Sequence, residues 1–158
     1  MEDLSYLQRN NAYLARQEIE RIKNDLSIKD HKRLELHGFK VYSQGDEDGI
    51  IEEIFRRIGV TEGTFCEIGV EKGLECNSLY LLHKGWTGYW IEGNETFAPA
   101  LEQKFSSLIL SNKLTVAMTY VTAENIDFVF NELKVPKVDL DFMSIDIDGN
   151  DKIGRAHV

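Results

Sequence analysis

The chain has 158 residues, 42% of them hydrophobic and 28% charged, which is the composition of one soluble domain around a single core. A formal net charge of −9 argues against a nucleic-acid binder, because neutralising phosphates takes a surplus of Lys and Arg. No window approaches the roughly 18 continuous apolar residues of a membrane span, and the polar opening MEDLSYLQRNNAYLARQE carries no apolar signal region, so a cytoplasmic protein is expected.

Residues 1–36 read as helix. Leu4, Leu7, Leu14, Ile19, Ile22 and Leu26 recur at three-, four- and seven-residue spacings among charged residues. The stripe is too broken for a regular coiled coil. It suits a helical extension packed on the domain, or an arm that pairs two copies into a homodimer. Gly38 stops the pattern, so residues 1–38 form an extension and 39–152 the main domain. Ser43 or Asp46 can then cap a second helix whose buried face carries Ile50, Ile51, Ile54, Phe55 and Ile58, ended by Gly59.

From Thr64 the pattern changes. Thr64-Phe65-Cys66-Glu67-Ile68 is a short apolar strand, followed by the glycine-bracketed turn Gly69-Val70-Glu71-Lys72-Gly73 and a helix over 77–83. A second strand covers 88–91 and ends at Glu92, a helix covers 98–109, and a third strand covers 114–121. Residues 125–133 are helical, with Ile126, Val129, Phe130 and Leu133 on one face. A fourth strand, Phe142 to Ile145, ends in Asp146. Strands alternating with helices imply βαβ units, a parallel sheet and right-handed crossovers. The expectation is an α/β, doubly wound sheet of about four strands, for which a Rossmann-like arrangement would give the order 3-2-1-4. Cys66 and Cys76 read as packing residues, because a cytosolic disulfide is rare and two cysteines alone make no zinc site.

Chemistry concentrates at the carboxyl ends of these strands, where open α/β sheets bind ligands. In Glu67-x-Gly69-x-x-x-Gly73, Gly69 lets the backbone turn and approach a ligand. Gly73 lets the loop pack close to the next helix, and Glu67 can meet a ligand ammonium directly or through water. Glu92 follows 25 residues later. An acid about 20 residues beyond a glycine turn can accept hydrogen bonds from a ribose diol. A dinucleotide fingerprint would place its second glycine, which seats a pyrophosphate, where this chain has Glu71. An anion there repels pyrophosphate but tolerates a cationic sulfonium and ammonium, which favours S-adenosylmethionine over a dinucleotide. Glu124, in Thr122-Ala123-Glu124-Asn125, stands where an adenine edge could be read, or where the next helix could be capped. Asp146 and Asp148, in Asp146-Ile147-Asp148-Gly149, could orient a substrate hydroxyl, act as general base, hold a divalent metal, or simply form a solvated loop.

Taken together, these residues resemble the FkbM-type family of class I S-adenosylmethionine-dependent methyltransferases. The matches are Tyr42-Ser43-Gln44 with Glu47-Asp48, then Phe65-Cys66-Glu67-Ile68-Gly69 through Gly73, then Glu92, then Ser144-Ile145-Asp146-Ile147-Asp148-Gly149. The resemblance covers residues 39–151. It implies O-methylation of a sugar or another small molecule without an obligatory metal. It puts Glu67 and Gly69 on the cofactor's amino-acid moiety, Gln44 and Gly73 also with the cofactor, Glu92 on its ribose, and Asp146 near the transferred methyl. Asp148-Gly149 stands where many members have Glu-Gly. An NAD-dependent oxidoreductase and a non-catalytic interaction domain are the alternatives. The last six residues, 153–158, are similar to a translated sequencing-adapter stretch and are set apart from the fold. Such folds carry about seven strands, so a chain ending after four is expected to expose its fourth strand as an edge, and to be poorly stable and inactive as it stands.

Overall fold

A computed structural model describes residues 2–147; Asp148, Gly149 and residues 153–158 lie outside them. The chain divides into two compact units, one running up to Gly38 and the other starting at Phe39.

The first unit holds α1 (Glu2–Lys29) and a 3-10 turn (Leu34–His37). Tyr13, Leu14, Ile19 and Ile22 are exposed on α1. Arg21 bridges Glu18 and Asp25 one turn away on either side, a surface arrangement worth a few tenths of a kcal/mol, about 0.3–0.5 per pair. No described helix is long and apolar enough to cross a membrane.

The second unit runs α2 (Glu47–Ile58), β1 (Thr64–Ile68), α3 (Leu79–His83), β2 (Thr87–Glu92), a 3-10 turn (Glu95–Phe97), α4 (Ala98–Leu110), β3 (Leu114–Met118), α5 (Ile126–Leu133) and β4 (Phe142–Ile145). All strand pairings are parallel. The order is β3-β2-β1-β4, the order expected of a Rossmann-like doubly wound sheet. The chain therefore reverses its direction of travel between β1 and β4, and that is the switch point of the sheet.

The period-two alternation of each strand sorts side chains onto two faces. Phe65, Trp90, Leu114 and Phe142 face α2, α3 and α4, in a core with Ile51, Phe55, Leu79, Leu82, Leu101 and Phe105. Cys66, Ile68, Ile91 and Ile145 face α5, with Val121, Val129 and Val135. Trp86 and Trp90 are buried, at 2% and 0% exposure. Phe55 meets Trp86, and Trp90 meets Phe105, edge to face at 4.5 and 4.8 Å, which suits the ring quadrupoles. Both cysteines are free and buried. Burial and the Glu67 charge push the Cys66 thiol up to about 12, and burial pushes Cys76 up as well, which keeps both inert.

Several details differ from the sequence expectation: α1 ends at Lys29 rather than at residue 36, and Asp46 stands at the N-cap of α2 without a side-chain cap hydrogen bond. In α2, Ile51 and Phe55 are buried while Ile54 and Ile58 are exposed. Phe55 follows Ile51 at four residues and shares its buried side with Asp48, whereas Ile54 and Ile58 fall beyond the opposite edge of that buried set. Glu53 takes an inward position instead, satisfied by Arg56 and Arg57. The third strand stops at Met118: the chain turns into the loop in which Asn125 Oδ1 accepts the Thr122 N–H and Asn125 Nδ2 donates to the Tyr120 carbonyl. Gly59 ends α2 in the left-handed conformation, φ 76°, as its sequence position suggests.

Candidate functional site

Two neighbouring cavities open at the carboxyl ends of the strands, sharing Gly69, Glu92, Asn94 and Ile147. The larger, about 570 Å³, is walled by the loop after β1 (Val70 to Lys72, Leu74 to Cys76), by Glu92, Asn94 and Phe97 after β2, by Asp146 and Ile147 after β4, and by Gln44 from the segment before α2. The smaller, about 410 Å³, lies between the ends of β2 and β3. It adds Gly93, Glu95, Thr119, Tyr120 and Val121. Both volumes fall within the range of small-molecule sites.

Glu92 is the acid that reaches both cavities. Only 6% exposed, it accepts the Glu71 N–H on Oε2 at 2.7 Å and the Asn94 N–H on Oε1 at 2.8 Å. A carboxylate has about four lone-pair sites, so each oxygen keeps capacity for a ligand hydroxyl. Glu71 holds a left-handed conformation, φ 50°, which non-glycine residues adopt at a cost. Its backbone bond to Glu92 is what this turn gains in return. Asp146 is exposed at the end of β4 and lines the larger cavity. Its N–H donates to the Ile68 carbonyl at 2.9 Å.

Glu67 does not reach either cavity. It is fully buried because alternation from Phe65 places it on the α3 side of β1, one residue before the strand end. There Oε1 accepts the Asn77 N–H at 3.0 Å. Oε2 accepts the Ser78 N–H at 2.8 Å and the Ser78 hydroxyl at 2.5 Å. Trp90 Nε1 donates to Ser78 Oγ, and Asn77 Nδ2 to Ser144 Oγ. Burial raises the Glu67 carboxyl above the ordinary range despite these donors. In this structure the carboxylate holds the end of the cavity loop and the start of α3 against β1, β2 and β4. Asn77 and Ser78 were not among the sequence candidates; counting two residues on from Phe65 would have found their partner.

The two glycines serve packing. A Cβ on Gly69, φ +86°, would lie 1.9 Å from the Asp146 carbonyl oxygen, so this glycine permits the ends of β1 and β4 to meet beneath the cavity. Gly73, φ +69°, is buried under Trp90, Phe105 and Leu101, packing on β2 and α4 rather than on the helix that follows it. Glu124 is exposed, lines neither cavity, and is held below the usual carboxylate range by the Thr122 hydroxyl and its own backbone N–H. Asn125, at the cap position, makes no side-chain cap bond and ties the loop instead. Among the described residues no group of His, Cys, Asp and Glu is placed to hold a metal ion.

No protein-family model matches the chain, and no curated protein matches it. Among solved structures it is similar to a Methanococcus maripaludis protein described as a "putative S-adenosyl-L-methionine-dependent methyltransferase". Sequence identity is 17% and the TM-score 0.44, over 63% of this chain and 41% of that one. The chain thus spans less than half the length of that protein.

Proposed function

We propose that this chain is the cofactor-binding part of an S-adenosylmethionine-dependent methyltransferase acting on a hydroxyl of a small molecule such as a saccharide. The observation that carries the reading is the charge of the larger cavity. Among the described residues, Glu71, Glu75, Glu92 and Asp146 line it against the single cation Lys72, at the switch point of a parallel sheet. Four carboxylates complement a ligand that bears a sulfonium and an ammonium, and they disfavour a pyrophosphate.

The donor set fits the rest of such a ligand. Glu92 offers lone pairs to a ribose diol while two backbone N–H groups keep its carboxylate aimed. The smaller cavity adds Thr119, Tyr120 and Val121, a surface suited to a flat base. The cofactor, when bound, supplies an electrophilic methyl group for attack by oxygen. The chain's own contribution is to hold the reactants in line, which supplies much of the rate in such transfers. Asp146 lines the cavity, and in this reading it orients the acceptor hydroxyl and takes its proton.

Calorimetric titration with S-adenosylhomocysteine, with NADH in parallel, tests this. Binding of the first, lost in Glu92→Gln, supports the reading. Binding of NADH alone replaces it with an oxidoreductase. Binding of neither at millimolar ligand by a folded chain replaces it with an interaction domain.

A further inference from the structure

Asp48, in the first turn of α2, is fully buried. Its Oδ2 accepts three consecutive backbone N–H groups, from Val41 and Tyr42 at 2.7 Å and from Ser43 at 3.0 Å. Its Oδ1 has no hydrogen-bond partner among the described residues. A buried carboxylate with one bare oxygen is a costly way to gain stability, and such groups call for another explanation. Here the bonds serve geometry. The segment before α2 has no helix or strand, yet it is fastened to the first turn of α2 throughout. Gly49 N–H donates to the Phe39 carbonyl, Asp48 N–H to Ser43 Oγ, and Gly45 N–H to Glu47 Oε2. The residue this segment delivers to the larger cavity is Gln44, next in the chain to the last N–H that Asp48 holds.

We propose that Asp48 is a positioning residue that sets the Gln44 amide in the cavity wall, where the amide donates to the carboxylate of an amino-acid-type ligand end. In a wall of four carboxylates, Gln44 and Lys72 are the side-chain donors that such a group needs alongside Asn94. The inference rests on the cofactor reading given above, and it names the end of the ligand that Gln44 serves.

The test compares S-adenosylhomocysteine with 5′-methylthioadenosine, which lacks the amino-acid end, by calorimetry on the parent, Gln44→Ala, Asp48→Asn and the double variant. Asp48→Asn keeps the shape but removes the charge from the three N–H bonds. Each single change is expected to weaken S-adenosylhomocysteine about fivefold and to leave methylthioadenosine unchanged, with the double no weaker than either single. Hydrogen exchange at the Val41, Tyr42 and Ser43 amides is expected to speed up in Asp48→Asn. Equal weakening of both ligands, additive effects, or parent-like binding by Asp48→Asn would each overturn the inference. If Asp48→Asn does not fold, Ser43→Ala loosens the same turn and is held to the same pattern. If the parent binds neither ligand, the cofactor reading fails, and exchange decides the positioning: unchanged protection at those three amides overturns it, and loss confined to them supports it.

Discussion

Glu92 Oε2 accepts the backbone N–H of Glu71 at 2.7 Å, fastening the end of β2 to the turn that follows β1. The carboxylate that faces both cavities is thus also the brace of their common wall. Glu92→Gln puts an amide donor where one of the two N–H groups now finds an acceptor, and it removes a charge. S-adenosylhomocysteine binding is expected to fall by about tenfold to a hundredfold, the loss of one to two charge-assisted hydrogen bonds. Calorimetry reads the loss, and a circular dichroism melt separates it from unfolding. Unchanged affinity in the Gln variant would remove Glu92 from the ligand.

Gly69→Ala tests the meeting of β1 and β4. The added Cβ would lie 1.9 Å from a backbone oxygen, and the site has φ +86°, so neither the neighbour nor the residue can relax cheaply. Backbone displacement together with left-handed strain predicts a loss of about 3 kcal/mol or more in urea unfolding. Gly59→Ala is the comparison. It has a similar positive φ but nothing within 4 Å of the new Cβ, so its expected cost is about 1 kcal/mol. Equal costs at the two positions would mean that the Gly69 contact yields.

Much of the fold was legible because its signals are local and periodic. Apolar runs such as Phe65-Cys66 and Tyr89-Trp90-Ile91, separated by helical spacing and glycine turns, mark the strands of the parallel sheet, whose order follows the Rossmann-like arrangement that the motifs resemble. Glu92 and Asp146 were legible as site candidates because they terminate strands, and strand ends point at the cavities. Glu67, in the glycine motif, lines neither cavity. It stands one residue before the end of β1, and its parity with Phe65 sends it beneath α3, where only the tertiary position of Asn77 and Ser78 makes a buried carboxylate tolerable. Gly69 and Gly73 carry a sequence signal for close approach, but the signal does not say to what. The approaching partners, the Asp146 carbonyl and the Trp90 ring, come from distant parts of the chain. Asp48 could be matched as part of a motif, yet its three-donor grip on Val41, Tyr42 and Ser43 has no periodicity that would announce it.

The buried carboxyl of Glu67 has a pH signature of its own. Burial raises it above the ordinary carboxyl range, so between its unfolded and folded values the native state binds more protons than the unfolded chain. Stability from this group is therefore fully present below the unfolded value and is lost as pH rises through the folded one. Glu67→Gln removes the titration. The difference in urea-unfolding free energy, parent minus Glu67→Gln, is expected to decrease as pH goes from about 4 to about 8. Taking the difference cancels the opposite slope from carboxylates held low by backbone N–H groups, such as Glu47. A difference that stays flat or rises would show that the Asn77 and Ser78 donors outweigh burial.

The acidic wall makes a prediction that concerns charge alone. S-adenosylmethionine and S-adenosylhomocysteine differ by the methyl group and the positive charge on sulfur, and they share every other polar group. If Glu71, Glu75 and Asp146, which line the larger cavity with Glu92, face the sulfur, the cation gains an attraction that its neutral counterpart lacks. That attraction is Coulombic and partly exposed, so added salt weakens it. Raising ionic strength from about 0.05 M to about 0.5 M, which shortens the screening length roughly threefold, is therefore expected to cut affinity for S-adenosylmethionine by more than it cuts affinity for S-adenosylhomocysteine. Glu71→Gln and Glu75→Gln should each narrow the gap between the two ligands by about twofold at low salt, the scale of an exposed charge pair, while leaving the neutral ligand nearly unmoved. Both substitutions are conservative in shape, and the backbone N–H of Glu71 that Glu92 holds survives the first of them. Steric damage would weaken both ligands together, whereas lost charge complementarity affects the cation alone. Parallel salt dependence for the two ligands would mean that the carboxylates look past the sulfur. The charge of the cavity would then no longer favour a sulfonium over other small ligands.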